Sequence, residues 1–534
     1  MSTGAPWTAT GRLLRLNLRL DRVRLLVWVL ALAGTVYGTV GALRETFPDG
    51  QARQARAALL ENPAAIMMTG PAFGADDYTL GAMTVNELSL SVLVAAAVMS
   101  ILLAGRHVRA EEESGRLEVL RALPVGRFAP PAAALGAVAV ADAAVGAGVT
   151  AALAAAGLGG ADAVAWGAAT ALTGLVFGAV AAVTAQLSGH ARTATGLALA
   201  VLGAAFLARG IGDVLEPSGS WLSWLSPIAW AQQTRMYVDL RWWPLTLSAA
   251  AAAARRGAAV VRAGRRDLGA GLWPGRPGPA AAGRGLLSVP GTARRLLRGT
   301  FLGWAAGLVL FGLAFGTLAD SLEDSAADIP TLEDWLVVDM DALTESFAAA
   351  TLSYLVLGVS AFAVSAVLRL RTEEDEGRAA LLLTAGVPRP RWLLGWLGVV
   401  VQVLVLLVAC GASLGAGVAA TTGEARWTGD LTLAALAYLP AVLALAGLVA
   451  ALVGLVPRTA AAVGWAVVAW IVFVAWFGQL LELPDWARRL SPVELTPLLP
   501  SEEWAAAPLA GLAAAALVLT GAAVAGAGRR DLLG

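Results

Sequence analysis

The chain has 534 residues, a mean hydropathy of +0.71 and only 14% charged side chains, with a formal net charge of zero. Ordinary soluble domains carry about 25% charged residues, so this composition excludes that class. Many apolar runs reach the roughly 20 residues needed to cross a bilayer as helix, and the period-2 alternation of a membrane β-barrel is absent. The fold class expected is an all-α membrane protein.

The 38 basic residues are all arginine. A phosphate-binding loop needs its lysine on the β- and γ-phosphates, so the chain cannot itself carry a standard nucleotide-hydrolysing site. The single cysteine, Cys410, sits in an apolar run and reads as a small buried hydrophobe. His107 and His190 lie far apart beside arginines, and neither a metal site nor a catalytic constellation is expected.

Taken in order, residues 1–24 place Arg12, Arg15, Arg19 and Arg22 on one helical face, with Leu13, Leu16 and Leu20 beside them. This spacing predicts an amphipathic helix on an anionic cytoplasmic surface; the alternative is a basic flank that only fixes orientation. The apolar run from Leu25 lacks a cleavage-type exit and is expected to stay as an anchor.

A first half, 25–262, then holds spans near 25–43, 83–103, 130–157, 163–187 and 193–212, a Trp-rich piece from Ser218 to Trp243, and a last apolar run to Ala254. An Arg/Gly/Pro linker over 263–298 comes next. The second half, 299–534, repeats the order with spans near 300–318, 347–368, 393–419, 430–455, 460–481 and 505–526. Acidic pieces lie at 320–341 and Glu482–Glu503.

The halves are copies. The charged run Arg109-Ala-Glu-Glu-Glu-Ser-Gly-Arg returns 262 positions later as Arg371-Thr-Glu-Glu-Asp-Glu-Gly-Arg. Leu225-Ser-Pro227 returns as Leu490-Ser-Pro492, and Gly264-Arg-Arg-Asp-Leu268 as Gly528-Arg-Arg-Asp-Leu532. The expectation is therefore twelve transmembrane helices, six plus six, with both halves in the same orientation. Arginines of the N-terminal segment, the two charged runs, the linker and the C-terminal end fall on one side, which the positive-inside rule makes cytoplasmic. Both termini are then cytoplasmic, in a multi-pass protein of the bacterial plasma membrane.

Each charged run reads as a docking element. Glu111, Glu112 and Glu118 are expected to face water while Leu117 and Leu120 turn toward a groove. A solvated loop is the usual fate of such a run, but recurrence at the same topological place argues for a partner. The stretch from Glu112 to Val125, set after the second helix of a six-helix unit, resembles the coupling-helix signature of ABC-2-type transporter permeases. The second copy keeps Glu373, Glu374, Asp375, Glu376, Gly377 and Arg378 but has Ala379-Ala380 where Leu117-Glu118 stand. Over its whole length the chain is similar to fused twelve-helix actinobacterial permeases for polyketide antibiotics or multiple drugs. That resemblance implies coupling by Glu111, Glu112, Glu113, Gly115, Arg116, Leu117, Glu118 and Leu120 in one copy, and by 373–378 in the other. It also implies a separately encoded ATPase subunit present twice, holding ATP and Mg, an amphipathic small-molecule substrate, and no nucleic-acid partner.

Four intramembrane or membrane-edge polar residues are substrate-pathway candidates. Asp142 sits mid-run and serves either helix pairing or transport. Asn86, Glu87 and Glu345 are either solvated helix starts or part of a cation or substrate site. Arg255 and Arg256 either snorkel to the inner interface or line the interior. An ion-coupled secondary transporter is disfavoured because six helices per half leave the repeats parallel rather than inverted. An intramembrane enzyme is disfavoured by the missing lysine and the placement of the histidines.

Overall fold

Away from water a backbone must satisfy its own N–H and C=O groups, which drives an apolar chain into helix; among the described residues there are helices and no strand. The computed structural model describes residues 6–58, 60, 63–216, 219–265, 271–272, 280–317, 319, 343–396, 398–477 and 483–529. The acidic piece 320–341, most of the two Gly-Arg-Arg-Asp-Leu endings, Arg266, Arg276, Gln479 and Glu482 lie outside them.

The chain divides into two units, Met1–Gly278 and Pro279–Gly534, with the boundary inside the expected linker. Unit 1 contains α1 (Thr10–Thr46), α2 (Gly50–Ala58), α3 (Pro63–Thr69), α4 (Leu80–Gly105), a π-type turn (Arg106–Ala110), α5 (Glu111–Glu113), α6 (Arg116–Arg121), α7 (Ala129–Ala155), α8 (Ala161–Leu187), α9 (Ala191–Leu215), α10 (Pro227–Gln232) and α11 (Trp243–Arg265). Unit 2 contains α12 (Val289–Gly316), α13 (Leu343–Asp375), α14 (Arg378–Thr384), α15 (Arg389–Trp396), α16 (Val399–Thr422), α17 (Arg426–Ala437), α18 (Leu439–Leu455), α19 (Ala460–Phe477), α20 (Asp485–Arg488) and α21 (Ala506–Arg529). The arginine-bearing N-terminal segment does not form a helix of its own. It runs into the apolar stretch without a break, so that α1 is a single helix of 37 residues, about 55 Å long at 1.5 Å per residue.

Ten helices or helix runs among the described residues are long and apolar enough to cross a membrane. Two of the expected twelve fall short. α11 is helical for 23 residues but carries Arg255, Arg256, Arg262 and Arg265, and the apolar part of α19, Ala460–Ala475, is shorter than the rest. Pro440 interrupts the fourth span of unit 2 between α17 and α18, because it lacks the N–H that the helix ladder needs.

In unit 1, α8 is the centre: α4, α7 and α11 all pack on it, and α1 packs on α7. The approach of α7 to α8 needs glycine. A Cβ on Gly146 would stand 2.4 Å from the Gly167 carbonyl, and the reverse is equally close. In unit 2, α12 and α17 pack on α16, while α18 packs on α21 and α13. There Gly411 and Gly415 let α16 meet the α17 backbone.

Candidate functional site

Both copies of the charged run build the same local device. A helix ends, a glycine turns the chain left-handed, and a short helix starts. The glycines are Gly115 (φ +73°) and Gly377 (φ +72°), leading into α6 and α14. A Cβ would meet nothing within 4 Å at either position, so the backbone angle, not crowding, calls for glycine.

Two ion pairs recur at the same spacing. Arg109 pairs with Glu112 as Arg371 pairs with Glu374 (3.6 Å). Arg116 pairs with Glu111 (3.4 Å) as Arg378 pairs with Glu373 through both Nε and Nη2, the latter at 2.8 Å. The Glu373 carboxylate holds the Arg378 guanidinium above its ordinary value. Arg109 also donates to the Gly189 carbonyl (2.6 Å), and Arg371 also reaches Asp375 (2.9 Å).

These pairs change the expected orientation of the site. The Glu112 side chain is buried, as are Glu373 and Glu374, and Glu111 is partly buried beside Arg116. These acids close clasps with arginines of their own segment and do not stand free in water. A carboxylate can leave water only with a paired cation and donors, and the arginines three to five positions away supply one. Glu113 accepts a hydrogen bond from the Ala191 amide (2.9 Å) and sits 3.5 Å from His190, an acid on the positive end of α9. Glu376 pairs with Arg378. Glu118 is exposed, as expected.

The leucines differ too. Leu117 is buried, and Leu120 packs with Val125 onto Leu13, Ala129 and Ala133 of the same unit. Ala379 is buried where Leu117 has its counterpart. The apolar side chains left outside are Val119 and Leu381, each 71% exposed and 262 positions apart. Leu123 is exposed as well. Helix geometry accounts for the contrast: Val119 lies two positions beyond Leu117, about 200° around the helix.

One constellation carries little sequence signal. Asp21 of α1 is buried, with His107 Nε2 on Oδ2, and Arg24 (3.1 Å) and Arg106 (3.5 Å) on Oδ1. The available sign is Asp21 as the one acid among the arginines of residues 12–24.

The polar pathway candidates are dispersed. Asp142 is fully buried; its Oδ1 accepts from Ser100 Oγ (2.5 Å), and its Oδ2 has no hydrogen-bond partner. Gly174 makes room for it, since a Cβ there would stand 2.2 Å from Oδ1. Arg256 donates to the Leu135 carbonyl of α7 (2.7 Å), six residues into that helix. At the opposite end of unit 1, Asn86 is buried and donates to the Phe73 carbonyl (3.4 Å) and the Tyr78 hydroxyl (3.3 Å), while Glu87 pairs with Arg56 (2.8 Å). Both fasten the 47–79 connection onto α4, and burial pushes the Tyr78 hydroxyl up to about 12. Glu345 is half-buried near the start of α13.

A family model described as "Multidrug efflux system permease Rv1217c, C-terminal domain" matches residues 11–262 and 286–527. The break between the two stretches lies inside the linker. "Multidrug efflux system permease protein Rv1217c" of Mycobacterium tuberculosis is 39% identical over 535 residues, covering 97% of this chain and 95% of its own length.

Proposed function

This chain belongs to the multidrug efflux system permease family, and on that premise we propose that it is the membrane permease of an ABC-2-type exporter. Two copies of a separate ATPase subunit, carrying ATP and its Mg, dock on the two charged segments. The lack of a phosphate-loop lysine supports hydrolysis by a partner subunit. The ten membrane-grade helices, together with α11 and α19, supply twelve spans with cytoplasmic termini. Closure of the ATPase pair moves the two segments and alternates the permease between inward- and outward-open states. The cargo is an amphipathic drug or antibiotic. Among the pathway candidates, Asp142 lies in the helical interior of unit 1 with Ser100 as its donor, whereas Asn86 and Glu87 are engaged in holding the 47–79 connection.

The observation that supports this reading is the matched pair of exposed apolar side chains, Val119 and Leu381. Each sits on a short helix whose first arginine, Arg116 or Arg378, is paired with a glutamate before the glycine turn. One exposed apolar side chain is ordinary on any surface; what supports docking is that the same position of both copies leaves one outside, on the segment that resembles a coupling helix. The test is capture of the ATPase by the detergent-purified permease. Val119→Asp with Leu381→Asp should abolish capture while leaving the melting temperature unchanged. Undiminished capture by the double variant overturns the reading. Glu112→Arg or Glu374→Arg would be a poor test, because either breaks an internal clasp and unsettles the fold along with the surface.

A further inference from the structure

The charged segment of unit 1 is held by the amino-terminal stretch at three levels. Before the segment, Asp21 of α1 grips His107 and Arg106 of the π-type turn. In its middle, Leu120 and Val125 pack onto the cluster that contains Leu13. After it, the Gly126 amide donates to the Thr8 carbonyl (3.1 Å) and the Phe128 amide to the Pro6 carbonyl (3.0 Å), with the Trp7 ring 5.2 Å from that of Phe128. Gly126 is required for this approach, since a Cβ there would stand 2.3 Å from the Pro6 carbonyl oxygen.

Unit 2 is wired differently. The residue matching His107 is Arg369, whose ion pair is with Glu373 on its own helix (2.8 Å). The residues matching the π-type turn are regular helix within α13. The first long helix of unit 2, α12, has no acidic residue in 289–316, so it offers no carboxylate to grip. The extra residue of a π turn rotates the chain beyond it, and such turns concentrate where a helix must present a side chain out of register. Here the side chain presented is His107. Burying a carboxylate is a poor way to gain stability, but its contact with His107 fixes which turn of α1 stands against which turn of the segment.

We propose that Asp21 and His107 are positioning residues that pass movement of the unit 1 charged segment into α1 as well as along α4, whereas in unit 2, where Arg369 pairs within its own helix, the movement passes along α13. The two halves therefore answer the ATPase unequally. α1 suits the task because it is unbroken from Thr10 to Thr46, so a push at its first turns reaches the far side of the membrane. The inference rests on the coupling role proposed above for the charged segments.

The test uses the full chain with its ATPase in proteoliposomes and ethidium as the transported probe, reading ATPase capture, ATP hydrolysed and ethidium moved per ATP. Asp21→Asn should keep capture and hydrolysis but lower ethidium moved per ATP roughly tenfold, and the swap Asp21→His with His107→Asp should restore most of it. Gly126→Ala, which removes no charge, should lower the same ratio by about threefold and serves if Asp21→Asn does not fold. A wild-type ratio in folded Asp21→Asn or in Gly126→Ala, or a swap that restores nothing, overturns the inference while leaving the docking reading intact. Failure of the wild type to capture the ATPase removes the docking reading and this inference together, and capture alone distinguishes the two cases.

Discussion

The two charged segments share an interior and differ in their attachments. Within each, the same arginines hold the same glutamates, the same glycine turns the chain, and the same position points an apolar side chain outward. Each continues from a long helix, α4 or α13; outside that, unit 1 ties its segment to α1 and to the start of α9, while in unit 2 the residue at the place of His107, Arg369, pairs with Glu373 on its own helix. A duplicated gene keeps the residues that the local device requires and lets the attachments drift, because the clasp is closed by residues three to five positions apart and the attachments depend on neighbours anywhere in the fold.

The comparison breaks most visibly at the buried arginine. Arg109 is 1% exposed and Arg371 24% exposed. Arg109→Met removes the buried cation paired with Glu112 and should cost about 3–5 kcal/mol. Arg371→Met, where water reaches the site, should cost less than half as much, and equal falls in melting temperature would refute the distinction.

A second contrast lies about two turns before each clasp. Ser100 serves Asp142 in unit 1, and the matching position in unit 2 is the buried Phe362. Phe362→Ala opens a cavity and should cost about 3–5 kcal/mol. Ser100→Ala removes the donor to a buried carboxyl and should cost about 1–3 kcal/mol. Thermal unfolding of the two variants in one detergent checks the order; a costlier Ser100 would mean the Asp142 bond supports more of unit 1 than its single hydroxyl suggests.

Symmetry itself is tested by Gly115→Ala and Gly377→Ala. Both residues share one left-handed angle with open space around them, so each change should cost about 1–2 kcal/mol, equally within error of the melting curves. Smallest of all, Val119→Asp and Leu381→Asp should move stability by no more than about 0.5 kcal/mol, although capture of the ATPase is lost. A large stability loss at either site would show that the side chain packs at home and is not a docking tip.

Much of the fold is legible in the chain. The duplication, the helical class and the place of the charged segments come from periodicity, hydropathy and repeated motifs, which are local properties. The orientation of the acids is not legible, because Glu111 and Glu112 carry no mark of their partners; only the left-handed turn at Gly115 swings Arg116 back onto Glu111. Leu117 and Leu120 read as docking residues by type, yet α1 and α7 lie under Leu120 and claim it. The unbroken α1 reads as two elements because its polarity changes at residue 24, while backbone hydrogen bonding takes no account of polarity.

By itself, then, the sequence determined that this is a helical membrane protein with a charged segment that recurs 262 positions on, since composition and repeat spacing need no partner to be read. Only the tertiary structure decided which side chains of the charged segments close inward and which stay outside. It also paired Asp21 with His107 across 86 residues. That pairing depends on how helix faces meet, and meeting faces are a property of packed neighbours and not of any one stretch of chain.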